Sequence, residues 1–411
     1  MTSLELRPYR LFNNVQHYAW GARGGDALIP KLLGITPEQD RPYAELWIGA
    51  HAKAPSDVAI GDDRVPLDQL IHEHPDFILG AEVSREFGGR LPFLLKVLSA
   101  VEPLSIQAHP DRRQAEVLHV CDPEHYPDDR HKPEISVALD SLDALVGFRP
   151  LDDLNRNLRR HPELSDFVGR DVVSQTVRVG DAPAKTPHES VRVLVEAMVK
   201  HATECPDDLG RALDALQQRL MRLPSLDEEE RLFLELRCRY PGPDIGLFCV
   251  FLLNRVRLNA GQGLYIGPGI PHAYLRGNIV ECMANSDNVV RIGLTDKFRD
   301  AGALRDILTY ETGQVSPLET VEQPGSVTFC SPASEFLLSR HAIAKGGEWE
   351  VSVCSRPQVM VVLQGKLRVS SGSYWESFAR GEALLIPAAL RSFVVWAEEA
   401  SEVYRVTVPV K

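Results

Sequence analysis

The chain reads as a mainly β protein, a sandwich or barrel, with an α-helical insert, and a repeated segment adds the reading of a duplicated β-barrel. Three observations point there. Short apolar runs punctuated by Gly and Pro fill residues 1–150 and return after 245. A helical periodicity occupies 151–244. One segment recurs near the C-terminus, "AGQGLYIGPGIPHAY" (260–274) against "RGEALLIPAALRSFV" (380–394).

In the first part, "AELWIGAH" (44–51), "LPFLLKVLSA" (91–100), "PLSIQAH" (103–109) and "EISVAL" (134–139) each have strand character, and 67–89 and 111–121 are more helical. In the insert, Val191, Leu194, Val195, Met198 and Val199 share one helical face, and Leu209, Leu213, Leu216 and Leu220 repeat the spacing. Leu232, Phe233 and Leu236 follow three glutamates, and Pro241-Gly242-Pro243 ends the helical stretch. Residues 245–318 then complete the first barrel. "LFCVFLLNRVRL" (247–258) suits a buried strand or a helix equally. Residues 319–411 form the second barrel, with a Gln364-Gly365 turn between two apolar arms at 359–369.

The recurring segment aligns without a gap. Gly261 matches Gly381, Leu264 matches Leu384, and Ile266 matches Ile386. His272 falls opposite Ser392. The pattern is also a common turn-then-strand grammar. As a duplication, it means that only the first barrel kept a ligand, and that the C-terminal barrel binds no metal.

Composition narrows the partners. With 411 residues and a net charge of −12, the chain repels nucleic acid and anionic lipid. An anionic metabolite would need its own basic pocket. No run of 18 apolar residues predicts a membrane span, and the N-terminus has no apolar core of a secretory signal. The seven scattered cysteines form no CxxC pair, which fits free thiols in a reducing cytoplasm.

Four residues carry candidate metal chemistry. Gln107 and His109 are two apart in a strand, so both project from one face. Glu134 opens an apolar run, and a buried carboxylate there must pair with Lys132 or Arg130 or bind a metal. His272 sits in "GPGIPHAY", a loop stiffened by Pro268 and Pro271. Two His, one Glu and one Gln suit zinc with an open position, while nickel, cobalt and manganese share the ligand preference.

The chain resembles the type I mannose-6-phosphate (phosphomannose) isomerases. The resemblance rests on "YAWG" (18–21), "AELWIGAHAKAPS" (44–56), "LPFLLKVLSAVEPLSIQAHPD" (91–111), "HKPE" (131–134) and the long block 251–298, in family order. It implies two cupin-type jelly-roll β-barrels with a helical insert. It implies one zinc ion per chain, held by Gln107, His109, Glu134 and His272. It implies interconversion of mannose 6-phosphate and fructose 6-phosphate through a cis-enediol. The expected partner is a small sugar phosphate and the expected state a monomer. With no P-loop or nucleotide-transferase motif, isomerase activity alone is expected.

Roles for other residues follow on that footing. Lys132 or Glu281 takes the proton, His131 or Asp287 serves ring opening, and Arg291 neutralises developing charge. Arg291 has an alternative partner in Asp287, four residues earlier, and Glu281 in an arginine. Lys96 and Ser105, with Lys297 as a further cation, are the phosphate candidates, and Trp20 and Tyr274 wall the pocket. Gly261-Gln262, Gly277-Asn278 and Arg291-Ile292-Gly293 depart from the family's usual Gly-Glu, Gly-Asp and Arg-Ala-Gly. Two other readings remain: a cupin that binds sugar without turnover, and an iron-dependent cupin oxygenase.

Overall fold

The computed structural model describes residues 4–176 and 186–410 and is mostly β with helices. The helical stretch's residues 177–185 lie outside the described ones. Two nine-stranded sheets dominate. The first runs Leu253–Leu258, Glu134–Phe148, His272–Ala284, Phe93–Ala100, Glu45–Gly49, Asn14–Gln16. Gly263–Ile266 pairs with the start of Glu134–Phe148, and Ile106–Ala108 joins His272–Ala284 to Val290–Gly293. This sheet carries Gln107, Glu134 and His272, and His109 directly follows its strand Ile106–Ala108.

The second sheet takes strands from both chain ends. Tyr9–Phe12 lies between Ala383–Ile386 and Asp57–Ile60, so the sheet that takes six strands from 319–411 also holds residues from the first hundred. Its apolar strands are buried on both faces, which is why they read as continuous runs. Val359, Val361 and Leu385 pack with Ile135, Val137, Val280 and Cys282 of the first sheet. Met360, Val362, Leu384 and Ile386 face the other way, onto Leu367, Val369, Phe393 and Val395 of a four-stranded sheet. Gln364-Gly365 therefore closes no hairpin: Gln358–Gln364 and Lys366–Ser371 belong to different sheets. Gly365 makes the crossing at φ 78°, where a Cβ would come within 2.3 Å of the Ala400 carbonyl oxygen.

The helical periodicity at 151–244 appears as helices from Leu151–Arg160 to Glu228–Arg239. Val191, Leu194, Val195, Met198, Leu209, Leu213, Leu216 and Leu220 are buried, together with Leu145, Phe148, Ala273 and Leu275 of the long strands. "LFCVFLLNRVRL" resolves into both alternatives, a short helix Gly246–Cys249 and then a strand Leu253–Leu258. No described helix is long and apolar enough to cross a membrane.

The recurring segment has the same local structure twice. Gly261 and Gly381 both have positive φ, 84° and 86°, and each precedes a short strand, a turn and a second strand. Gln262 Oε1 accepts from the Asn259 amide at 2.8 Å, and Glu382 Oε2 accepts from the Ala379 amide at 2.7 Å. Gln262 thus makes the bond that a glutamate makes in the second copy.

The long pair Glu134–Phe148 and His272–Ala284 bends where its register shifts between Ala138 and Leu142. Gly277 enables the bend: its φ is 145°, and a Cβ would lie 2.4 Å from the Ser141 carbonyl oxygen. Beside it, Asn278 Nδ2 donates to Asp140 Oδ2 at 2.5 Å. An aspartate at 278 would set two carboxylates against each other, so the departure from Gly-Asp matches Asp140. Gly277→Ala should lower unfolding stability by roughly 1–3 kcal/mol. An unchanged denaturation midpoint would show that the bend is not strained.

Two buried imidazoles link this fold to pH. His161 packs on Phe251, and His341 stacks on Trp349 with Ser339 Oγ 2.9 Å from its Nε2. Burial pushes both down to about 4. The unfolded chain gains these protons below about 6.5 while the folded chain refuses them, so stability falls as pH drops from 6.5 to 4. The loss is on the order of 2 kcal/mol per histidine at pH 5. His341→Gln should lose less stability between pH 7 and pH 5 than the parent chain in denaturant titrations; equal losses would contradict this assignment.

Candidate metal centre and active site

Three of the four candidate ligands converge in a buried cluster. Ligand atoms of His109, Glu134 and His272 all lie within 4.8 Å of one another. His109 Nε2 is 3.4 Å from Glu134 Oε1, and His272 Nε2 is 3.3 Å from Glu134 Oε2. Each ring's other nitrogen faces a carbonyl: His109 Nδ1 donates to Asn288 O at 2.8 Å and His272 Nδ1 to Ile270 O at 3.0 Å. A carbonyl only accepts, so both Nδ1 atoms carry the proton and both Nε2 atoms present lone pairs. These lone pairs face a carboxylate, and among the described residues His109 Nε2, His272 Nε2 and Glu134 Oε2 have no hydrogen-bond partner. Buried acceptors aimed at one another are unfavourable unless a cation lies between them. The donor set therefore fits a metal of the zinc type.

Electrostatics agree with that use. Burial, aided by Lys132, pushes His109 down to about 4, leaving a neutral imidazole at physiological pH. Burial acts to raise Glu134, but the Lys132 ammonium at 3.2 Å leads the opposing effects, and the carboxyl is held well below its ordinary range. Gln107 is the direct cross-strand partner of His272 on one side and of Arg291 on the other, so the three share a face. Its Oε1 accepts from Ser105 Oγ at 3.4 Å.

The backbone around these side chains is fixed by buried polar bonds. The Gly269 amide donates to the His109 carbonyl at 2.7 Å, tying the His272 loop to the His109 strand. Asn288 is fully buried, and its Nδ2 donates to the carbonyls of Asp128 and Arg130 at 2.6 and 2.9 Å. Asp244 Oδ1 accepts from the Gly246 and Leu294 amides at 2.7 and 2.8 Å, clamping the chain just after Arg291. Gly246 and Gly293 touch there: a Cβ on Gly293 would meet the Gly246 nitrogen at 2.3 Å. The glycine of Arg291-Ile292-Gly293 is thus fixed by packing, while Ile292 is an ordinary buried residue.

Beside the cluster a row of residues crosses the sheet: Trp47, Lys96, Glu281 and Ser136 are successive cross-strand partners. Lys96 Nζ lies 2.9 Å from Glu281 Oε2 and 3.3 Å from Glu45 Oε2. Burial opposes the Lys96 charge, but the two carboxylates outweigh it and raise its pKa. Glu281 is raised by burial, with Glu134 and Glu45 adding to the effect and Lys96 opposing it. Its partner is thus a lysine and not the arginine allowed for it from sequence. Tyr274 is buried beside His272, with its hydroxyl 2.5 Å from Ser136 Oγ. Trp20 stacks on Tyr18 with ring centroids 5.8 Å apart.

Three of the candidate residues have other partners. Lys96, 6 % exposed, is shared by two carboxylates, Glu281 and Glu45. His131 is held at 2.7 Å by Glu335 Oε1, away from the cluster that Lys132 faces. Asp287 does not pair with Arg291: it contacts His51 Nε2 at 3.4 Å and Lys53 Nζ at 2.9 Å. Burial opposes ionisation of Asp287, and those two contacts outweigh it. Arg291 makes no ion pair among the described residues, and burial lowers its pKa. Lys297 is lowered by burial and then by the nearby Arg291, so two cations adjoin.

Sequence reasoning passed over Glu45, Trp47 and His51. Their signal was present in "AELWIGAH", where period two places a carboxylate, an indole and an imidazole on one face. Asn288 and Asp244 gave no such signal, because their roles depend on loops far apart in sequence.

Comparison with known proteins is consistent along the whole chain. Residues 9–151 match the family model of the phosphomannose isomerase type I catalytic domain. Mannose-6-phosphate isomerase 2 of Arabidopsis thaliana is 35% identical over 98% of this chain and 93% of its own. The Homo sapiens mannose-6-phosphate isomerase is 33% identical, with 89% of each chain covered. Among solved structures, a phosphomannose isomerase variant from Salmonella typhimurium superposes with a TM-score of 0.82 at 28% identity, covering 98% of this chain and all of that one. A zinc-bound mannose 6-phosphate isomerase gives 0.81 with the same identity and coverage. At this identity and coverage, the chain belongs to the type I mannose-6-phosphate (phosphomannose) isomerases, a family of enzymes.

Proposed function

We propose that this chain reversibly converts mannose 6-phosphate into fructose 6-phosphate through a cis-enediol, with one zinc ion held by Gln107, His109, Glu134 and His272. The observation that carries this reading is the meeting of two imidazole lone pairs with the Glu134 carboxylate, buried and without a proton between them. When bound, zinc supplies Lewis-acid polarisation of the sugar's carbonyl and hydroxyl oxygens. The surrounding sheets support a cupin-type double jelly roll, since the recurring segment has the same strand-turn-strand structure in both copies. We take the chain to act as a monomer on a small sugar phosphate in the cytoplasm. The net charge of −12 disfavours nucleic acid as a partner.

Glu281 is the group we assign to proton transfer between C2 and C1. Its carboxyl is buried and raised, which brings a carboxylate base closer to the working pH. Lys96 orients it at 2.9 Å. Lys132, 3.2 Å from Glu134, is the alternative base and otherwise adds positive charge beside the enediolate. Arg291, aligned with Gln107, neutralises the same charge from the neighbouring strand. Ring opening falls to Asp287 with His51, because His131 is engaged elsewhere. For the phosphate, Lys297 and Ser105 replace Lys96; a dianion relieves the repulsion between Lys297 and Arg291. Trp20, Tyr18 and Tyr274 wall the sugar.

The direct test is incubation with mannose 6-phosphate and coupled detection of fructose 6-phosphate, before and after chelation. Activity should vanish with chelator and return with zinc; absence of product with zinc restored would remove the reading. Glu281→Gln should retain metal and lower kcat by roughly 10²–10⁴-fold. Near-normal turnover in that variant would transfer the proton step to Lys132.

A further inference from the structure

Two of the three segments that deliver ligands carry, three residues away, a nitrogen donor that does not face the cluster. Arg112 follows His109 by three positions, and His131 precedes Glu134 by three. They meet on one oxygen. Glu335 Oε1 accepts from His131 Nε2 at 2.7 Å and from Arg112 Nη2 at 3.0 Å, and Arg112 Nη2 lies 3.4 Å from His131 Nε2. Glu335 is 4 % exposed, and its Oε2 has no hydrogen-bond partner among the described residues. A carboxylate this buried is costly, and the Arg112 guanidinium and the His131 N–H, both donating to Oε1, offset that cost. Its backbone is anchored on either side: Ala333 and Phe336 are buried in the core that also holds Ile135 and Val137, the residues just after Glu134.

We infer that Glu335 is a positioning residue for the zinc site, clamping the His109 and Glu134 segments at a fixed separation through Arg112 and His131. The inference rests on the zinc reading above and adds a task for the C-terminal part of the chain, which contributes no metal ligand. The separation of His109 and Glu134 sets whether their atoms close on an ion, and supports of this kind around metal ligands change affinity by roughly 10–100-fold. No proton is moved in this role, and Glu335 touches neither metal nor sugar.

The test compares the full-length chain with Glu335→Gln and Arg112→Gln. Arg112 has a side chain 61% exposed, so its replacement leaves the core intact if the buried variant fails to fold. Zinc affinity is read by competition with a chromophoric chelator, and the ligand geometry by the visible spectrum of the cobalt-substituted protein. Both variants should bind zinc roughly 10-fold or more weakly and shift the cobalt bands. Their kcat should fall at saturating zinc while KM for mannose 6-phosphate stays near that of the parent. Arg112→Gln should add little in a His131→Gln background, because both act through one carboxylate. Unchanged zinc affinity and cobalt spectrum in Arg112→Gln would overturn the inference while leaving the zinc reading intact. Failure of the parent chain to bind zinc would instead overturn the zinc reading itself.

Discussion

Everything at the site depends on one electrostatic constraint: Glu134 lies buried between two imidazoles that present lone pairs instead of protons. Asn288 and Ile270 carbonyls hold the Nδ1 protons, so neither ring can turn a hydrogen toward the carboxylate without losing a buried bond. Lys132 balances part of the charge from one side. The remaining imbalance is what a dication resolves. A well-packed core would have avoided this arrangement, and its retention fits a site built for a metal.

The fold is organised to hold that constraint rigid. His272 and Glu134 stand on the two longest strands of one sheet, which pair directly with each other. Gln107 joins through a short strand on the His272 edge, and His109 is locked by the amide of Gly269. The opposite face of the same sheet packs on a second sheet through Ile135, Val137, Val280 and Cys282. Ligand-bearing residues thus alternate with core residues along the same strands, so precision at the site comes from packing behind it. The polar row Trp47, Lys96, Glu281 and Ser136 extends the constraint: one lysine serves two carboxylates, and the carboxyl of Glu281 is left raised beside the metal cluster.

Sequence alone showed much of this and missed what depends on distant contacts. The strands around Glu45, Lys96, Ile106 and Glu134 were legible because short apolar runs end in turn residues. The helices between 151 and 244 were legible because Val191 to Val199 and Leu209 to Leu220 keep helical spacing. What local reading could not show was the partners of the charged groups. Lys96 looked available for phosphate, but strand pairing places Glu281 and Glu45 against it. His131 looked available for proton shuttling, but Glu335, 204 positions later, takes it. Gln364-Gly365 looked like a hairpin turn, although its arms diverge into separate sheets. Joining of Tyr9–Phe12 to Ala383–Ile386 had no sequence signal, since pairing between strands so far apart in the chain follows from the packed sheets.

Metal stoichiometry coupled to turnover tests the central claim most directly. Chelated protein is titrated with zinc while conversion of mannose 6-phosphate is followed in the same cell. Activity should rise linearly and stop rising at one zinc per chain, and His272→Ala should show neither the tight binding nor the activity. Turnover in the metal-free chain, or tight one-to-one zinc binding retained in His272→Ala, would contradict the account.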